Sequence, residues 1–131
     1  MLGGIILTGC QHQQKLSHEE LRSKLRASVS LASESEALME KIVEHRMPAH
    51  FEAGHLGYLK EQATDLTKSL KGAVAEPKDR NAYQEVVGQL GVLQHDLDSA
   101  ANHINQPGEI VPIRHQLGAV RDTLQKMELR Q

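Results

Sequence analysis

Apolar residues recur along this chain in alternating steps of three and four, the spacing that lines up side chains on one face of an α-helix. The pattern is cleanest in the C-terminal half. After Tyr83 it runs through Val86, Leu90, Leu93, Leu97, Ala100 and Ile104, and then through Ile110, Ile113, Leu117, Val120, Leu124 and Met127. Both are narrow seams of the coiled-coil kind. An earlier stripe, Leu56, Leu59, Ala63, Leu66, Leu70 and Ala73, repeats the spacing. The first stripe, Leu21, Leu25, Ala32, Met39 and Ile42, is interrupted by Ser28 and Ser35. Serine at a seam predicts either a close approach of a neighbouring helix or loose packing.

Punctuation between the stripes predicts where the helices begin and end. Ser17 with Glu20 fits a capping box, in which each residue satisfies the other's backbone N–H. Pro48 precedes the second stripe, where a missing N–H costs nothing, and Gly72 with Pro77 follows it. Asn105, Gln106, Pro107 and Gly108 separate the last two stripes. The expected helices span residues 17–46, 49–73, 80–104 and 109–129, with Pro112 tolerated in the first turn of the last. Short connections make sequence neighbours antiparallel, so the expected fold is all-α, an up-down-up-down four-helix bundle. The alternative is that Pro48 only kinks one long helix, leaving an elongated hairpin that must form a homodimer to bury its stripes.

Composition narrows the function classes. The 131 residues are 39% hydrophobic and 24% charged, enough for one domain with one core. Phe51, Tyr58 and Tyr83 are the only aromatic residues, so the core is built from aliphatic side chains and a β-sandwich or barrel is disfavoured. Fifteen basic and seventeen acidic residues are mixed along the chain with no block of one sign. That balance, with so few aromatics to stack on bases, argues against nucleic acid as a partner. Beyond residue 10 no apolar run approaches the ~20 residues of a membrane-spanning helix.

Residues 1–15 stand outside the helical stripes, although residues 2–7 are largely apolar. They hold the single cysteine, Cys10, which cannot form an internal disulfide. The sequence Leu7, Thr8, Gly9, Cys10 resembles the lipobox of bacterial lipoproteins, a Leu and two small residues before a Cys that follow an apolar signal segment. The resemblance implies that the Cys10 sulfur receives a diacylglyceryl group, that the chain is cleaved before Cys10, and that the new amino group is acylated. Residues 1–9 would then be a signal peptide, residues 10–16 the lipidated Cys and a polar tether, and residues 17–131 the bundle. The implied location is the bacterial cell envelope. Gln11, rather than Asp, after the cysteine favours the outer membrane, with the domain facing the periplasm. Unlike the family's signal segments, this one has no Lys or Arg before Cys10: either the translation start lies upstream of Met1 or the four-residue match is accidental.

Histidine is the other candidate chemistry, with eight residues in the chain. In an up-down bundle the first and third connections share one end, which predicts that His45, His50, His55, His103 and His115 gather there. Imidazole suits Zn, Ni and Cu, and Met47 nearby would favour Cu(I). Against this, His50 and His55 lie about 140° apart on a helix. Glu52 and His55 form one Glu-x-x-His pair, whereas ferritin-like di-iron sites use two such pairs with two further Glu. The competing reading is that His45 and His103 simply favour helix C-terminal turns. No phosphate loop, nucleophile elbow or zincin motif is present, so a non-catalytic protein is expected. Phe51 and Tyr58 share a face of the second helix outside its leucine stripe, either as flanking core or as an exposed docking patch for an envelope protein partner not identified by the sequence.

Overall fold

The computed structural model describes residues 14–131, so the lipobox and Cys10 lie outside the described residues. Four helices pack against one another around a single core: α1 (His18–Val43), α2 (Ala49–Lys71), α3 (Arg80–Asn102) and α4 (Pro107–Arg130). Two three-residue strands, β1 (Gln14–Leu16) and β2 (Ala73–Ala75), and one turn of 3₁₀-helix (Pro77–Asp79) complete the described chain.

The stripes account for the core. Val86, Leu90, Leu93, Leu97 and Ala100 of α3 are fully buried, as are Ile110, Leu117, Leu124 and Met127 of α4. Leu66, Ile104 and Ile113, at the edges of their stripes, are only partly covered. In α1 the core is wider than the expected seam, because Leu31 and Leu38 are buried as well. Ser28 and Ser35 are completely buried yet satisfied, their hydroxyls donating to the carbonyls of Lys24 at 2.8 Å and Leu31 at 2.7 Å. Back-bonding one turn down lets a polar side chain occupy a seam without a partner on another helix.

Helix α1 packs most extensively against α4, and each helix also packs on its sequence neighbour. Gly118 is buried where these two helices meet, and a Cβ there would lie 2.8 Å from the Glu36 carboxylate. Glu36 instead pairs with Arg121, one turn along α4. Arg26 of α1 reaches Glu128 at 3.4 Å, Lys60 of α2 reaches Asp98 of α3 at 3.1 Å, and Glu85 of α3 meets Arg130 of α4 at 3.7 Å.

The helix boundaries differ from the sequence expectation in ways that have local causes. The capping box at Ser17 forms in full, with Glu20 N–H donating to Ser17 Oγ at 3.1 Å and Ser17 N–H to Glu20 Oε1 at 3.0 Å. Helix α1 ends at Val43 rather than 46, because His45 adopts a left-handed backbone with φ 53°. Its N–H bonds the Ile42 carbonyl at 3.2 Å, and Arg46 N–H bonds that of Lys41 at 3.0 Å, the paired bonds of a Schellman stop. Pro48 then caps α2 in an extended conformation, so the chain makes two helices here and not one kinked rod. Helix α4 starts at Pro107 instead of 109, which moves Pro112 from the first turn to the second, on an exposed face.

The strand pair is the unexpected element. Residues 14–16, expected as part of a polar tether, pair in parallel with β2, with Lys15 beside Val74 and Leu16 beside Ala75. Leu16, only 4% exposed, joins the core with Ala73, while Lys15 and Val74 face outward. The same end is tied by Tyr83, whose hydroxyl donates to the Leu70 carbonyl at 2.8 Å. No described helix is long and apolar enough to cross a membrane.

Candidate functional site

The five candidate histidines are placed by different local causes. His45 serves the helix stop just described. His103, the residue after α3, has Nδ1 2.8 Å from the Ser99 carbonyl, which only accepts, so Nδ1–H donates and satisfies a helix-terminal carbonyl. His50 is exposed in the first turn of α2 with its ring centroid 4.5 Å from that of Phe51. His55 is half-buried with its ring 6.5 Å from Tyr58, and His115 is exposed on α4. Among the described residues, no group of three or more His, Cys, Asp and Glu side chains is placed to hold a metal ion. Glu52, the partner of His55 in the Glu-x-x-His pair, is buried on α2.

Phe51 and Tyr58 resolve the choice between core and surface. Both stand outside the core, 58% and 54% exposed, on a stretch of α2 where Gly54 and Gly57 have open space around them. Two glycines in a helix give up backbone entropy, and here no close neighbour requires them. Tyr58 also borders a shallow groove of about 380 Å³ between α1 and α2, floored by Leu31 and Leu66 and edged by Lys24, Gln62 and Asp65.

Two buried carboxylates escaped the sequence reading. Asp96 of α3 is 2% exposed, and burial pushes its carboxyl up to about 6, with the neighbouring His95 pulling weakly the other way. Gln116 of α4 faces it. With its amide nitrogen turned to the carboxylate, Gln116 donates to Oδ2 at 3.0 Å and also to Oδ1. Asp79, at the start of α3, is the second. His18 Nδ1 lies 3.0 Å from its Oδ1, tying the first turn of α1 to the 3₁₀ turn that leads into α3, and Oδ2 is buried without a hydrogen-bond partner. A spacing signal existed for Asp96, which stands three residues after Leu93 and four before Ala100, within reach of the α3 stripe. For the pairing of His18 with Asp79, 61 positions apart, the sequence held no signal.

No family model, no curated protein and no solved structure matches this chain.

Proposed function

We propose that this protein is a small lipid-anchored component of a bacterial cell envelope, attached through Cys10 and working by binding or scaffolding rather than by catalysis. The observation that carries this reading is an exclusion. Beyond residue 16 the apolar residues recur largely at helical spacing, whereas the apolar residues of 2–6 carry no such spacing in the sequence and lead into Leu7, Thr8, Gly9 and Cys10. Two or three acyl chains, at about 0.8 kcal/mol per buried CH₂, hold a domain of this size on a bilayer. Gln11 after the cysteine favours the outer membrane, with the bundle in the periplasm.

The helices are read as an up-down-up-down bundle. Along α1 with α4 and along α3 with α4, residue numbers rise on one helix as they fall on the other, from Arg26 with Glu128 to Glu36 with Arg121, and from Glu85 with Arg130 to Asp96 with Gln116. The exposed Phe51 and Tyr58 are the surface offered to a protein partner in the envelope.

Growth of the producing bacterium with a fatty-acid analogue tests the anchor. The unaltered chain is expected to take up label and to fractionate with membranes, and Cys10→Ser to lose both. Absence of Cys10-dependent label would sink the reading.

A further inference from the structure

Charge is unevenly distributed between the two ends of α1. Around the strand pair, Lys15, Lys68, Lys71, Lys78 and Arg80 are all exposed, and among the described residues none has an acidic partner within 4 Å. The acidic residues at that end are largely engaged. Asp79 is buried against His18, Glu19 pairs with Arg22 at 3.4 Å, Glu85 meets Arg130 and Glu128 meets Arg26. Glu20 is held in the capping box by Ser17, which keeps its carboxyl below its usual value, and Glu76, with Asp65 one turn before Lys68, is left exposed with no cation within 4 Å among the described residues. Around the end of α1 the balance is different. Exposed Lys41 stands beside exposed Glu40, and Arg46 is paired with Glu44 at 2.8 Å.

We infer that the basic end, centred on Lys15, Lys71, Lys78 and Arg80, is a membrane-contact face that sits on anionic lipid headgroups. This rests on the reading of Cys10 as the anchor and adds an orientation to it. Cys10 precedes Gln14 by four positions, and four extended residues span at most about 14 Å, so an acylated Cys10 keeps the strand pair within that distance of the bilayer surface. The outer face of the sheet there presents Lys15 beside Val74, a 44% exposed apolar side chain suited to the headgroup boundary. Helix α1 has 26 residues and places its other end, with His50 and Phe51, roughly 39 Å away. The anchor brings the bundle to the membrane, and the cations choose which end lies down.

Vesicle co-sedimentation of the full chain carrying Cys10→Ser tests the face without the acyl chains. Binding to vesicles containing phosphatidylglycerol, absent from pure phosphatidylcholine and lost at high salt, is the expected result. Each removed cation should lower low-salt partitioning about fivefold, so Lys71→Gln with Lys78→Gln should lower it more than tenfold. The matched pair Lys41→Gln with Arg114→Gln should change it less than twofold. Equal binding to both vesicle types, or an equal loss from the two pairs when both melt like the parent, overturns the face. So does displacement by inorganic phosphate beyond that by chloride of the same ionic strength, which would mark a single-anion site. Fatty-acid labelling of the unaltered chain reads the anchor separately. Label with indifferent vesicle binding upholds the anchor and removes the face; phosphatidylglycerol binding without label does the reverse.

Discussion

The two ends of α1 are finished by opposite means. At its start, long-range contacts converge: β1 pairs with β2, Leu16 enters the core, His18 meets Asp79, and Tyr83 holds the last turn of α2. At its other end no strand pairing is added: the Schellman stop at His45 and the extended Pro48 cap of α2 close the turn, Met47 packs on the core, and Phe51 is left in solvent. The first end is tied by strand and side-chain contacts outside the helices, whereas at the second the exposed turn is merely terminated above the core residues Ile42, Leu56 and Ile110. A scaffold tolerates sequence change at a terminated end because little packing depends on it, so that is where a partner-specific surface can be carried at small structural cost.

Substitutions at the two ends should therefore differ in size. Leu16→Ala opens a cavity under the strand pair and is expected to lower stability by about 2–3 kcal/mol in urea unfolding, a large loss for an element of three residues. A loss below about 0.5 kcal/mol would show that the strand end is no better fastened than the other. The next effect belongs to Asp96, 16 residues beyond the start of α3 and so in the half away from the strands. Its carboxyl titrates near 6 when folded against an ordinary value of 3.8, so the folded state holds the proton more tightly. The contribution to stability is greatest below about 3.8 and is lost as pH rises through about 6. Asp96→Asn is expected to remove this slope from thermal melts taken across that range and to stabilise the protein near neutral pH by roughly 2 kcal/mol, the Gln116 donors offsetting part of the burial cost.

Smaller effects are expected where the chain is merely terminated. His45→Gly relieves a left-handed backbone at a non-glycine residue and should raise the urea midpoint, by about 0.5–1 kcal/mol in stability. A decrease would mean that the imidazole does more than end the helix. Phe51→Ser should change stability by less than about 0.5 kcal/mol while reducing cross-linking to envelope proteins in cells. A large destabilisation would place Phe51 in a packing role and remove the contrast between the ends.

The parts of this fold written in the sequence are those that repeat. Each helix stripe sums the weak preferences of several apolar positions, and the capping box at Ser17 is a local pattern read from Ser17 to Glu20. Features made by one residue were not legible. Leu16 is a single apolar residue among polar ones, so no periodicity marked β1, and its burial depends on Ala73 and Ala75 arriving from far along the chain. Helix α1 stops without glycine, since His45 takes the conformation glycine usually supplies. Among candidate site residues, the sequence grouped histidines by the end they share, but ring placement depends on local backbone bonds and rotamers that spacing does not encode. Spacing puts Phe51 and Tyr58 on one face of α2, but whether that face is core or surface depends on how α2 packs on its neighbours, which leaves both exposed.

The parallel register of the strands also has a bearing on the order of folding. Gln14 meets Ala73 across the whole of α1 and α2, so this pairing closes a long loop for very few hydrogen bonds. Such a contact belongs on the native side of the folding barrier, and weakening it should speed unfolding while leaving the folding rate nearly unchanged. In native-state hydrogen exchange the amides of β1 and β2 should open ahead of the helices. The segment next to Cys10 is then the last to lock and the first to release.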